Sequence, residues 1–132
     1  MTVPDSFVGT CGTCHDTPNV GNHSVSAPLN IGVADLNSSL PLGYLPQITL
    51  CPNTGGGCVT TTDPGRALIT GKFADVGKFK GPILRGLASG TPYFHNGSAT
   101  TLSDAVNFYN VRFGIGFTAL EISDLVNFLN TL

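Results

Sequence analysis

The sequence of 132 residues predicts a mainly α domain, in which three to four short helices are joined by long ordered loops. Segments with capping residues and apolar side chains at helical spacing recur in the second half of the chain. No segment shows the sustained alternation of a convincing strand. The 17 glycines and 9 prolines divide the rest of the chain into turns and loops.

The length predicts one domain, spanning 1–132. The hydrophobic fraction of 41% suffices for a core, whereas the charged fraction of 11% lies far below the roughly 25% of an average soluble domain. The net charge of −2 gives no reason to expect a nucleic-acid partner. No apolar stretch approaches the ~20 residues of a transmembrane helix, and no secretory signal is visible at the start.

A short helix is predicted over residues 5–15. Phe7, Cys11, Cys14 and His15 then lie on one helical face. The two thiols and the imidazole would therefore be presented together.

The region of about 16–64 is predicted to be an irregular loop, which is long for a compact domain. A large prosthetic group that supplies packing surface would explain such a loop. Within it, Cys51 and Cys58 flank the glycine-rich "PNTGGG". This pattern predicts a disulfide and an oxidising compartment; two free thiols are the alternative.

The second half of the chain predicts three further helices. The segment 63–71 opens with an Asp-Pro pair and ends at a glycine, which is typical of a helix of one or two turns. The segment 100–113 begins with a capping box from Thr101 to Asp104. A final helix starts at a second capping box in "TALE" and carries an apolar stripe. The intervening segment 78–99 is punctuated by glycine and proline and is predicted to be irregular.

Cys11, Cys14 and His15 form a C-x-x-C-H motif, the signature of covalent haem c attachment. The two cysteines would form thioethers and the histidine would coordinate the iron. A zinc site that also used Cys51 and Cys58 is less favoured, because the second pair has a wider spacing than structural zinc sites use. A thioredoxin-like dithiol would need a βαβ pattern, which is not visible.

The residue on the other face of the iron stays open from the residues alone. Met1 is the chain's one methionine, and its terminal position argues against His/Met coordination. The remaining candidates are His23, His95 and Tyr109. Each also has an ordinary interpretation, as a surface histidine, a loop-bracing histidine and a core aromatic residue.

Three stretches together resemble a known family: "CGTCHDTPNVGNHS", "DPGRALITGKFADVGKFKGPILRGLASGTPYFHNGSATTLSDAVNFYN" and "TALEISDLVNFLNTL". They are similar to the C-terminal haem domain of the bacterial dihaem cytochrome c peroxidase and MauG family. The resemblance covers roughly 8–23 and 63–132 and is weak over 30–60. Family members carry two haems in two domains. The single motif and single-domain length here imply a one-haem version without the N-terminal, peroxide-handling half.

The resemblance also implies roles for individual residues. The family's distal ligand, a methionine or tyrosine, lies in the helix after "PYFH", at an offset from His95 that lands on Tyr109. Arg85 matches an arginine near the haem propionates, and Phe94 and Phe108 are expected as walls of the haem pocket. The family binds calcium between its two domains, and we do not predict that ion for this chain.

The fold class expected from these observations is a small cytochrome c-like domain around one covalently bound haem c. Its expected function is to carry single electrons, with iron bound by His15 and Tyr109. The alternative is a peroxidase or MauG-like haem enzyme, or the electron-transfer domain or subunit of one, with an open or labile sixth position and His95 as acid–base residue. We also expect a redox partner, which is either another protein or a second haem domain. A homo-oligomer or larger assembly is expected too, as is export to the periplasm or extracellular space.

Overall fold

A computed structural model of the protein describes residues 11–15 and 26–132. Residues 5–10 of the first predicted helix lie outside these ranges. The described residues contain helices α1 (Cys11–Cys14), α2 (Ala67–Thr70), α3 (Leu102–Arg112) and α4 (Ala119–Leu129), and strands β1 (Ile48–Leu50) and β2 (Val59–Thr61). Short 3₁₀ turns occur at Leu42–Tyr44, Phe73–Asp75 and Leu87–Ser89.

The prediction of a mainly α fold is wrong. Strands β1 and β2 form an antiparallel hairpin, in which Ile48 faces Thr61 and Leu50 faces Val59. Each strand has three residues, too few for alternating hydrophobicity to stand out in the sequence. The fold is therefore four short helices together with a small two-stranded sheet.

The loop at the tip of this hairpin is closed by a disulfide between Cys51 and Cys58, which confirms the predicted bond. On the strands themselves, the hydroxyls of Thr49 and Thr60 are 2.9 Å apart and hydrogen-bonded. The disulfide brings the two strands together at the point where the glycine-rich segment would otherwise separate them.

The three predicted helices of the second half are confirmed. Thr101 and Asp104 form the expected capping box at the start of α3, and an equivalent box caps α4. Helix α2 ends at Gly71 in the left-handed conformation (φ 66°), which glycine adopts without a steric penalty. Helix α4 packs against α3, and the Asn110 side chain accepts a hydrogen bond from the Phe117 backbone (2.8 Å) in the turn between them.

The hydrophobic core forms where α3 meets the long region before β1. Its buried members are Val33, Leu40, Leu42, Ala99 and Phe108. Three of the five come from the region predicted as loop, so that region is an integral part of the core. The backbone around Ala34 is tied to the end of the hairpin, since its buried carbonyl accepts hydrogen bonds from Thr61 Oγ1 (2.9 Å) and Thr62 N (3.1 Å).

Arg112 at the end of α3 fastens the helix to the same region. Its Nε donates to the Ile31 carbonyl (3.1 Å), and its Nη2 donates to the Asp35 carboxylate (3.4 Å). Gly32, with φ +88°, lies directly beneath the guanidinium, and a Cβ there would come within 2.7 Å of Nε. The close approach of these two segments therefore requires glycine at this position.

Within the described ranges, every helix is too short or too polar to cross a bilayer.

Candidate functional site

Helix α1 presents the two thiols and the imidazole of the C-x-x-C-H motif on one turn. The His15 backbone N–H donates to the Cys11 carbonyl (2.9 Å), which continues the helical hydrogen bonding past Cys14. Cys11 is exposed and Cys14 is half-buried, and both are free thiols. Burial raises the pKa of the Cys14 thiol, and the neighbouring Cys11 raises it further.

The fold brings Tyr109 close to this pair of thiols. Tyr109 lies on α3, far along the chain from α1. Burial raises the pKa of its phenol to about 12, and the negative charges of Cys14 and then Cys11 add to that shift. A charge influences a phenol in this way only over a short range. The phenol of Tyr109 and the two thiols are therefore within electrostatic range of one another in the folded chain.

Aromatic side chains surround Tyr109. The ring of Phe108 lies edge-on to it at 5.3 Å between centroids, and the ring of Phe94 lies at 6.1 Å. Both were predicted as walls of the haem pocket, and both lie in the same cluster as the tyrosine. Sequence reasoning missed Phe113, which stacks on Tyr109 with centroids 6.1 Å apart and planes 18° apart. The i, i+4 spacing of the two residues along the predicted helix is the signal that could have found it.

His95 is engaged elsewhere. Its Nε2 lies 3.4 Å from the Asp63 carboxylate, and its ring stacks on Phe79 with centroids 4.0 Å apart. Burial lowers the pKa of His95, and Asp63 opposes that shift. These contacts connect the loop containing His95 to Asp63, just after β2, and to Phe79 further along the chain. The Asp-Pro pair marked Asp63 as the start of a helix, but nothing in the sequence marked it as a partner of His95.

Arg85 is exposed and forms no ion pair with any described residue. His23 lies outside the described residues. The zinc interpretation loses two of its ligands, since Cys51 and Cys58 are bonded to each other. Among the described residues, no cluster of three or more histidine, cysteine or acidic side chains is gathered as a metal site.

The donor set at α1 fits covalent haem attachment. Thioether bonds need two unoxidised thiols at C-x-x-C spacing, and Cys11 and Cys14 are unoxidised even though the chain forms a disulfide elsewhere. The imidazole that would coordinate iron follows directly, and Nδ1 of His15 is shielded from solvent. The half-buried phenol of Tyr109, within electrostatic range of the thiols, adds an oxygen donor of the kind that binds ferric iron in some haem proteins.

No protein-family model matches the chain, and no solved structure matches it significantly. Curated relatives do. The chain is 33% identical to the cytochrome-c peroxidase IdrP2 of Denitromonas iodatirespirans, over 94% of the chain and 36% of that protein. It is 33% identical to the cytochrome c551 peroxidase of Nitrosomonas europaea, over 92% of the chain and 30% of that protein. It is 30% identical to the cytochrome c peroxidase Ccp of Escherichia coli, over 92% of the chain and 22% of that protein.

The chain spans about a third of the length of the first two relatives. All three relatives are named as cytochrome c peroxidases, and each is 30–33% identical to the chain over nearly its whole length. This similarity is consistent with a haem domain of the bacterial cytochrome c peroxidases. The chain belongs to the bacterial cytochrome c peroxidase family.

Proposed function

We propose that this chain is a haem c domain that transfers single electrons within an enzyme of the cytochrome c peroxidase family. The observation that best supports this proposal is that Tyr109 lies within electrostatic range of Cys11 and Cys14, although it is distant from them in sequence. The relatives' names favour a place in a peroxidase over the free-standing electron carrier predicted from the sequence.

Four residues would hold the cofactor. Cys11 and Cys14 would supply the thioether anchors, and His15 and Tyr109 would supply an imidazole nitrogen and a phenol oxygen as iron ligands. Bound haem c supplies one-electron redox chemistry. Unpaired and exposed, the Arg85 guanidinium is available for a propionate carboxylate, which it can bind through two parallel hydrogen bonds.

The environment of Tyr109 sets the character of this ligand. With a pKa near 12, the phenol by itself is neutral at physiological pH. A cationic metal centre nearby favours the phenolate, since opposite charge lowers a pKa that burial has raised. An anionic oxygen donor stabilises the ferric state, so we expect a lower reduction potential than a methionine ligand would give.

A second candidate function is peroxide turnover by this chain itself. The relatives' names favour it, and the His95 imidazole could act as an acid or base there. Its pairing with Asp63 and stacking on Phe79 argue for a bracing role instead. Oxidation of a ferrocytochrome by peroxide, catalysed by the isolated domain and lost in His95→Asn, would favour this second function.

Covalent attachment is the first test of the proposal. The exported holoprotein should keep its haem through acid–acetone extraction and show the added mass of one haem by mass spectrometry. The Cys11→Ser/Cys14→Ser variant should lose both properties. A wild-type protein that carries no covalently attached haem would exclude the proposed function altogether.

The sixth ligand is tested by Tyr109→Phe, with EPR and optical spectra of the ferric protein and the rate of cyanide binding. We expect wild type to be six-coordinate and slow to bind cyanide. The variant should change its spectrum and bind cyanide at least about tenfold faster, because losing a ligand bond worth more than ~1.4 kcal/mol corresponds to that factor. Tyr93→Phe is the control, as its hydroxyl donates to the Leu87 carbonyl (3.0 Å) in a half-buried setting. An unchanged spectrum in Tyr109→Phe would reject the ligand assignment.

A further inference from the structure

Phe94 adopts a backbone conformation that bulky residues avoid. Its φ is +65°, and it is the one non-glycine residue with positive φ among those the structure describes. In this region the Cβ of an L-residue is crowded by its own backbone, so glycine or asparagine is the usual occupant. A phenylalanine here indicates that its side chain contributes something that glycine cannot.

The surrounding turn holds Phe94 in this conformation. The flanking residues Tyr93 and Ala99 are bridged by two backbone hydrogen bonds, of 2.7 and 3.4 Å. Inside the bridge, Gly97 N–H donates to the Phe94 carbonyl (3.3 Å), and the Asn96 side-chain amide donates to the Val33 carbonyl (3.4 Å). Ala99 is fully buried. The turn is therefore anchored to the core on both sides of Phe94.

The left-handed backbone directs the Phe94 ring towards α3. The ring meets Phe108 edge-on with centroids 5.1 Å apart and planes at 71°, and it meets Tyr109 at 6.1 Å and 52°. These are separations and angles at which aromatic rings attract one another. Phe108 is 2% exposed and anchors the pair to the core. The Phe94 ring thus contacts Tyr109 from an anchored turn that lies outside helix α3.

We propose that Phe94 is a positioning residue, whose ring holds the Tyr109 side chain in the orientation in which its oxygen serves as the sixth ligand. This inference rests on the proposed function. Tyr109 also contacts two rings of its own helix, Phe108 and Phe113. Those contacts move with α3, whereas Phe94 belongs to the turn before it. Among the ring contacts of the residues that the structure describes, the one with Phe94 alone joins Tyr109 to a segment outside its own helix. Removing the ring therefore frees the phenol to turn while α3 stays in place.

The test compares three variants in the holoprotein. Phe94→Gly removes both the ring and the backbone strain, Phe94→Leu keeps apolar bulk without the ring, and Phe94→Tyr keeps the ring. Phe128→Leu is the matched control, since that ring lies on α4, about half exposed (47%). The measurements are the ferric EPR spectrum, the reduction potential and the rate of cyanide binding, with thermal unfolding followed in parallel.

We expect cyanide binding to be about two- to tenfold faster in Phe94→Gly and Phe94→Leu, which is the factor that corresponds to losing one aromatic pair. Their EPR spectra should become heterogeneous. Phe94→Tyr and Phe128→Leu should both keep the wild-type spectrum, potential and cyanide rate. If Phe94→Gly and Phe94→Leu alter thermal unfolding alone and leave spectrum, potential and cyanide rate at wild-type values, the ring only fills space and the inference is wrong.

The outcome for Tyr109→Phe separates failure of this inference from failure of the proposed function. If Tyr109→Phe changes the spectrum and the Phe94 variants do not, the ligand assignment holds and the positioning role is rejected. If Tyr109→Phe itself changes nothing, the ligand assignment fails and the positioning role fails with it. Should Phe94→Gly not fold, Phe94→Leu against Phe94→Tyr still decides the question.

Discussion

The disulfide between Cys51 and Cys58 should contribute a measurable share of the stability of the domain. The bond joins residues with a sequence separation of 7 and closes the glycine-rich tip of the β1–β2 hairpin. In the chain-entropy view, a crosslink stabilises the native state by restricting the unfolded chain. For a loop of about eight residues the relation gives about 2.5 kcal/mol at 25 °C. Glycine-rich loops are flexible when unfolded, so the bond has much freedom to restrict.

The perturbation is the Cys51→Ser/Cys58→Ser variant. Because unfolding entropy scales with chain length, about 2.5 kcal/mol corresponds to a fall in Tm of roughly 9 °C for a chain of this size. Urea unfolding followed by far-UV circular dichroism gives the free energy, and thermal unfolding gives Tm. The hairpin is attached to the core through Thr61 and Thr62, so loss of the bond should weaken the whole domain.

Wild-type protein that has been reduced and alkylated at the two cysteines should reproduce the loss seen in the variant. A change in unfolding free energy below about 0.5 kcal/mol in both samples would refute the entropy argument. Such a result would mean that the hairpin opens separately from the core.

Two further predictions follow from local geometry. Gly32→Ala should lower the free energy of unfolding by more than ~1 kcal/mol, because the φ of +88° at Gly32 and the nearby Arg112 side chain leave no room for a Cβ. Urea unfolding measures the change. Gly43→Ala is the control and should show little loss, since a Cβ at Gly43 would meet nothing within 4 Å. Hydrogen bonds from Thr101 lower the pKa of Asp104 below its usual 3.8, and hydrogen bonds from Thr118 lower the pKa of Glu121 below its usual 4.5. The two capping boxes therefore stabilise the fold at a pH above these usual values, and they lose that contribution as the pH falls through the lowered pKa values. Unfolding at pH 7 and pH 3 should therefore show a smaller acid-induced loss in Asp104→Asn/Glu121→Gln than in wild type, and an equal loss in both proteins would contradict the assignment.

The features that the sequence predicted correctly are local ones. A capping box joins residues three positions apart, so Thr101 and Asp104 reveal the start of α3 without knowledge of the rest of the fold. The disulfide was predicted because its two cysteines flank one short glycine-rich loop. The same reasoning failed at the hairpin itself, since strands of three residues carry too little periodicity, and the predicted mainly α fold was wrong.

The arrangement around the candidate site was decided by tertiary packing. Nothing near Tyr109 in the sequence says that the C-x-x-C-H thiols lie within electrostatic range of it, and a resemblance to a family was what favoured it over His23 and His95. The pairing of His95 with Asp63, and the left-handed Phe94 held between two anchored residues, likewise depend on segments that meet only in the folded chain. Sequence patterns alone determined which groups could hold a cofactor, because a thiol or an imidazole is identified by its residue type and the attachment motif by its short spacing. Which groups face one another was decided by the packing of α3 against the turn before it, since contacts between distant segments leave no periodic signal in the chain.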